Sequence, residues 1–285
     1  MQQSKIDFYS RFSRFQQSRE KYYAPKLRKE LDAQLHQYIA TKKFHISSSG
    51  VAKVITDLYV DASTVYGGRI RYDLSKYIKQ VKKERKPIGF NERIIQLMNE
   101  YFKTDILNTS RNITETTIKH IQDELIRGSA LGLGFDDIVA KLISEDLSAA
   151  RARLIARTET VTAANRAGYI VAKESGLLMN KEWLTSIDNR TRDHHVEING
   201  SVVGIDDYFI LPGGVEMLVP GDRGGTNGKL KTPAGEVCNC RCTTVYIPVV
   251  DAQGNAIAAT PIFGTPTTGV QEFIAGAVEG LMDSI

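Results

Sequence analysis

Residues 148–186 read SAARARLIARTETVTAANRAGYIVAKESGLLMNKEWLTS, and the change of texture inside this stretch decides the fold. Residues 148–175 are rich in Ala and Arg, both strong helix formers, and hold no proline, so they predict one strong helix. After Gly176 the apolar residues gather into short β-type runs: KEWLTS (181–186), SVVGI (201–205), YFIL (208–211), EMLVP (216–220) and RCTTVYIPVV (241–250). Gly, Pro, Asn and Asp separate them, as turns require. Residues 181–248 therefore form a small β-rich unit behind a helix.

Moving towards the N-terminus, Gly132 and Gly134 mark a turn and Asp136 is placed to cap a helix over 137–145. No Lys-Ser/Thr follows these glycines, so a turn fits better than a phosphate loop. Residues 93–127 carry Ile113, Ile118, Ile121 and Leu125 at helical spacing, which predicts one long helix or two, with Asn91 as N-cap and Gly128 as C-cap. A basic run from Lys79 to Lys86 ends at a loop over 87–89. Residues 49–65 are helical in pattern, and residues 4–40 carry Phe8, Phe12, Phe15, Tyr22, Leu27, Leu31 and Leu35 with spacings of three and four dominant, and a helix break is expected near Pro25. Towards the C-terminus, 251–269 reads as an extended arm. Residues 270–284 place Val270, Phe273, Ile274, Val278, Leu281 and Met282 on one side of a short amphipathic helix, which docks on a partner chain or folds back on its own core. The fold class is α+β: a long helical region over 1–127, a unit over 128–248 with helices across 137–175 and the β-rich part at 181–248, and an extended arm over 249–285.

Composition is that of a globular protein: 285 residues, 42% hydrophobic and 25% charged, enough for one or two domains with a core. No run of about eighteen apolar residues is present, and the first residues, MQQSKIDFYSRFSRFQQ, lack the apolar stretch of a secretory signal, so synthesis in a cytoplasm and no membrane partner are expected. Charge is uneven. The first hundred residues hold twenty Lys and Arg against ten Asp and Glu, and the remainder holds seventeen against twenty-three. A basic front half suits nucleic acid or an acidic partner, with Lys79, Lys82, Lys83, Arg85 and Lys86, inside the basic segment 69–93, as candidate contacts. Most individual lysines are better accounted for as solvated helix faces.

Three clusters carry the candidate chemistry. Arg157 and Glu159 lie in the first, on the helix before the β unit. Trp183, Asp188, Arg190, Arg192, His194, His195 and Gly200 form the second, and Cys238, Cys240 and Cys242 the third. These are the only cysteines, so a disulfide framework is excluded, and a cluster of this kind points to metal or to a local structural role. Imidazole and thiolate are soft ligands suited to zinc. His195, Cys240 and Cys242 supply three ligands, with Cys238, His194 or Asp188 as a fourth. Cys-x-Cys is not the usual Cys-x2-Cys knuckle, so the structural alternative stands beside zinc. In that alternative Asp188 holds a turn and accepts from Arg190 or Arg192, Arg157 and Glu159 extend the polar network, and the cysteines are small buried strand residues. A metal-dependent nuclease or hydrolase is a further alternative, but neither a Cys–His nucleophile pair nor a serine elbow has a recognised spacing, and no catalytic residue is assigned.

Taken together, four runs resemble the phage Mu F-like minor head protein family: Ala156-Arg157-Thr158-Glu159-Thr160; Trp183 to Gly200 with Asp188, Arg190, Arg192 and His195; Pro220-Gly221-Asp222; and Asn239-Cys240-Arg241-Cys242. Their order and spacing make the likeness specific over residues 151–248, while residues 1 to about 125 carry no such motif. The resemblance singles out His195, Cys240 and Cys242, and leaves Cys238 as an extra. It implies a structural minor capsid protein of a tailed bacteriophage, few in copy, in the virion at the capsid interior or portal vertex, acting in head assembly or genome delivery. Portal protein and other capsid proteins are its implied partners. Packaged DNA is a partner suggested by the charge of the N-terminal half. Related domains also head larger toxin-bearing chains, and too few residues follow 248 for a toxin domain to be expected. The alternative is a metal-dependent enzyme or a DNA-binding protein carried in the virion.

Overall fold

The computed structural model describes residues 2–41, 46–81, 90–144, 147–186, 188, 190–224 and 231–259. Lys82, Lys83, Arg85 and Lys86, the loop expected at 87–89 and the helix expected over 270–284 lie outside them. The architecture is α+β. Three long helices, α1 (Gln2–Thr41), α2 (Ser49–Val81) and α3 (Phe90–Ala130), are followed by α4 (Phe135–Ser144) and α5 (Leu147–Glu174). The β unit then runs β1 (Met179–Leu184), α6 (Asp193–Glu197), β2 (Val202–Gly204), β3 (Phe209–Ile210), β4 (Glu216–Met217), α7 (Ala234–Val237) and β5 (Thr243–Pro248). Among the described residues no helix is long and apolar enough to cross a membrane.

The expected break at Pro25 does not occur: α1 is continuous through it. A proline inside a helix costs about 3 kcal/mol through the lost hydrogen bond and the ring clash. The turns on either side bury Tyr23, Ala24, Leu27 and Leu31. Burying one large apolar side chain contributes roughly 1.5–3 kcal/mol, so packing outweighs the local penalty. The Gly128 cap is also corrected. Helix α3 continues to Ala130, and Gly132, at φ 76°, is the left-handed residue that ends it. Gly132 N donates to Ser129 O at 2.9 Å and Leu133 N to Gly128 O at 3.0 Å, which satisfies the last carbonyls. Gly128 serves close approach instead, because a Cβ there would lie 2.5 Å from Cγ1 of Ile138 on α4. Helix α4 begins at Phe135, so Asp136 sits in its first turn, beside the positive end of the helix, and does not precede it as a cap.

Helix α5 is the centre of the molecule. Ala152, Ala156, Ala163, Ala164, Ala167, Val171 and Ala172 have no exposed surface. Over 155–172 the helix is buried on nearly every side and needs small side chains, which let α1 and α2 pack closely along it. One buried cluster joins Phe12, Leu27, Ile55, Leu58 and Tyr66 of α1 and α2 to Trp183, Phe209, Met217 and Tyr246 of the β unit. A smaller one lies at the far end of α1, where Leu35 and Tyr38 meet Ile118, Ile121, Ile138 and Leu142.

The main sheet has the order β2-β1-β5, antiparallel throughout, with Trp183 opposite Thr244 and Glu182 opposite both Val202 and Val245. Strands β3 and β4 pair separately, Phe209 opposite Met217. As the central strand, β1 is buried on both faces, which explains why it holds buried charges. Glu182 receives Lys5 Nζ at 2.6 Å. Lys181 is fully buried, donates to Ile205 O at 2.8 Å and lies 5.5 Å and 5.4 Å from the ring centres of Tyr169 and Phe209.

Burial pulls the Lys181 ammonium down from 10.5 to about 7, with Asp206 and Asp207 offsetting part of the cost. Its folded pKa lies below its unfolded one. Between pH 7 and 10.5 the unfolded chain therefore holds a proton that the folded chain does not, and stability rises with pH in that window. Unfolding free energy from urea titration should rise by about 2 kcal/mol between about pH 7 and pH 9. In Lys181→Met this rise should vanish. An equal slope in both proteins would show that Lys181 is not its source.

Candidate functional site

After β1 the chain turns, and Asp188 holds the turn. Its Oδ2 accepts from Ser186 Oγ at 3.1 Å and its Oδ1 from the backbone N–H of Arg190 at 2.9 Å. Its main partner is Arg241, whose guanidinium grips both oxygens, Nη2 at 2.7 Å from Oδ1. That fork holds the Asp188 carboxyl well below the usual carboxylate range. Of the two arginines expected to serve Asp188, Arg190 is exposed, with its guanidinium 3.8 Å away. Arg192 donates instead to the Cys238 carbonyl at 2.5 Å.

Helix α6 then presents two histidines in opposite ways. His194 is half-exposed, while His195 is buried with its ring edge-on to Trp183, centroids 5.2 Å apart. His195 Nδ1 stands 3.4 Å from Cys242 Sγ and 3.8 Å from Cys240 Sγ. Its other nitrogen, Nε2, is 3.1 Å from Glu236 Oε2 on α7, and the second oxygen of Glu236 meets His194 Nδ1 at 3.3 Å. Among the described residues, the ligand atoms of His195, Cys240 and Cys242 lie within 4.8 Å of one another, and all three side chains are buried. Cys238 is exposed at the end of α7 and does not join them. The hydrogen bond to Cys242, together with burial, pushes the Cys240 thiol up. Burial works against ionising Cys242 as well, but its contacts with Cys240, His195 and Thr185 outweigh it and hold that thiol well below its ordinary value.

The remaining runs tie this corner to the helices. Asn239 adopts φ 61°, a left-handed conformation that asparagine tolerates, and so reverses the chain between exposed Cys238 and buried Cys240. Its N–H donates to Thr158 Oγ1 at 2.9 Å, and its Oδ1 accepts from Arg157 Nη1 at 2.6 Å. Arg157 also grips Glu20 of α1 through Nε at 2.8 Å and Nη2 at 2.7 Å. Glu159, two residues on and so on the opposite side of α5, receives Arg223 Nη2 at 2.6 and 2.7 Å and the Tyr59 hydroxyl at 2.5 Å. Arg157 and Glu159 thus anchor two separate networks, neither of them centred on Asp188. Asn165 donates to both Pro220 O and Cys242 O at 3.0 Å, and Asp222 accepts from Leu218 N at 3.0 Å. The arginines at 223 and 241 and the carboxylates Glu20 and Glu236 had no assigned role in the sequence. Arg241 lay inside the Asn-Cys-Arg-Cys run, and an acidic residue two positions before a cysteine run is the kind of signal that could have flagged Glu236.

Beside this corner, α1, the start of α5 and the end of β1 enclose an open cleft of about 1000 Å³. Its walls carry Lys5, Lys21, Arg28, Arg153, Arg157 and Arg241. Lys79, the described member of the basic run, is exposed in the last turn of α2 and does not line the cleft.

Comparison with known proteins matches residues 119–245 to the family described as Phage Mu protein F like protein. The minor head protein GP7 of Bacillus phage SPP1 is 29% identical over 133 residues, 46% of this chain and 41% of that protein. An Enterococcus faecalis protein named NAD(+)–arginine ADP-ribosyltransferase EFV is 32% identical over 134 residues, 45% of this chain and 26% of its own length. An uncharacterized Bacillus subtilis protein, YqbB, is 35% identical over 106 residues, 36% of this chain and 32% of its own length. The chain therefore spans between a quarter and two fifths of the curated relatives it matches. No solved structure matches. Residues 119–245, the stretch similar to the Phage Mu protein F like family, hold all four sequence runs and the buried His195–Cys240–Cys242 cluster.

Proposed function

We propose that this chain is a structural minor protein of a phage head, carried in the virion and acting in head assembly. The observation that carries the reading is how the family residues are used. Arg157, Glu159, Asp188, Arg192 and Asn239 are each committed to another part of the same chain. Arg157, Glu159 and Asn239 lock α1, α2 and α5 to the β unit, while Asp188 and Arg192 tie the β unit to itself, as an assembly module requires. The minor head protein of phage SPP1 adds support from a relative. The activity named for the Enterococcus relative belongs to a protein of which this chain matches about a quarter, and nothing in the networks described calls for it.

Placement at the portal vertex is the finer part of the same proposal, as is contact with packaged DNA through the basic N-terminal half. The cationic walls of the cleft and exposed Lys79 offer surfaces of the right sign. Procapsids and virions of the phage that carries this chain should both contain it on fractionation and mass spectrometry. Its absence from both would sink the structural reading. Crosslinking of the same particles should join it to the portal protein, and crosslinks to the major shell protein alone would remove the portal placement.

A further inference from the structure

We propose that His195, Cys240 and Cys242 bind one Zn²⁺ ion through His195 Nδ1 and the two thiolate Sγ atoms. The spacing is the first argument. A tetrahedral zinc ion sits about 2.0–2.1 Å from nitrogen and about 2.3 Å from sulfur, which sets ligand N and S atoms about 3.6 Å apart. The two separations here, 3.4 and 3.8 Å, bracket that value.

The second argument is the direction of the imidazole. Glu236 engages Nε2 at 3.1 Å, so the proton belongs on Nε2 and the lone pair of Nδ1 faces the thiols. A carboxylate behind a histidine in this way fixes the tautomer and raises ligand basicity at zinc sites. Thr185 Oγ1, 3.2 Å from Cys242 Sγ, supplies a hydrogen bond to that sulfur. Two thiolates neutralise a divalent ion, so the buried site carries no net charge, which removes most of the cost of placing an ion there.

The third argument is mechanical. The cluster joins α6, of five residues, to the segment between α7, of four residues, and β5. Helices so short do not hold themselves, and neither α6 nor α7 has a side-chain cap. A metal tie between them stabilises both. The fourth coordination position falls to a non-protein oxygen donor such as water. Cys238 is exposed and outside the cluster, His194 faces Glu236, and Asp188 is gripped by Arg241. The inference stands independently of the head-assembly role.

The test is made on the full-length wild-type chain, purified reduced and without chelators. Elemental analysis should find one zinc per chain. X-ray absorption should show two sulfur and two nitrogen or oxygen neighbours, and cobalt exchanged for zinc should give the intense visible bands of tetrahedral thiolate coordination. Cys238→Ser should keep the metal, and Cys242→Ser and His195→Ala should lose it. These wild-type readouts hold even where a variant fails to fold. Folded, reduced protein that contains no zinc and takes up neither zinc nor cobalt would overturn the proposal, as would three sulfur neighbours or loss of metal in Cys238→Ser.

Discussion

Glu159→Gln is expected to destabilise the fold by about 3–5 kcal/mol, the cost of leaving a buried charge without its partner. The change keeps the side-chain volume and removes only the charge. In the native chain both Glu159 oxygens face Arg223 Nη2, at 2.6 and 2.7 Å, and Tyr59 closes the group by donating to Glu159 and accepting from Arg223 Nη1 at 3.1 Å. Exposure decides which regime applies. Exposed pairs contribute about 0–1 kcal/mol because water screens them. Here the side chains are only 5% exposed for Glu159 and 21% for Arg223. Burial works against the charge on Arg223, and Glu159 with Tyr59 supports it in the native chain. An arginine guanidinium does not deprotonate in proteins, so it remains charged after the substitution. Asp105, half-buried nearby, offsets part of the loss. Urea unfolding followed by circular dichroism measures the effect. Adding Arg223→Met should recover part of the loss, because it removes the stranded charge. A loss below about 1 kcal/mol in the single variant would show that the pair behaves as a surface pair.

That network also shows where the sequence was legible. The β runs were found where they are because β-branched and aromatic residues between Gly and Pro have few other places to go. The α5 helix was found because Ala and Arg favour helix locally. Local signals failed where packing decided the outcome. Pro25 lies inside α1 because its neighbours are buried, and Gly128 lies before the true helix end because Ile138 needs the space. At the site, His195, Cys240 and Cys242 were marked by residue type and by the spacing of the four runs. Their convergence was therefore an expectation, but the contact of His195 with Glu236 was not readable, since it depends on how α6 and α7 approach across 41 residues of chain. The partner of Asp188 was missed for the same reason. Arg190 and Arg192 were near in sequence, but Arg241 is 53 residues away and is brought there by the entry into β5.

The other large effect is expected at Trp183. Trp183→Ala should cost about 3–5 kcal/mol, the usual range for emptying a large buried aromatic site. Trp183 is fully buried on the central strand of the sheet, opposite Thr244 of β5. Two rings meet its faces edge-on, Phe209 at 5.3 Å and His195 at 5.2 Å. Neither can fill the space left behind, because Phe209 is paired in the β3–β4 hairpin and His195 is held by Glu236. Trp183→Phe should cost far less. It keeps an aromatic ring, and among the described residues the indole Nε1 it removes has no hydrogen-bond partner, so no bond is lost. As the only tryptophan in the chain, Trp183 is itself the fluorescence probe, so both variants are compared by urea unfolding read through circular dichroism. A second readout separates general loosening from a local effect. With the ring gone, His195 loses its packing, and Cys240 and Cys242 should react faster with a thiol reagent, while exposed Cys238 reacts as before. An alanine variant within about 1 kcal/mol of the native chain would mean that the site collapses around the missing ring, and that β1 does not hold the cluster in place.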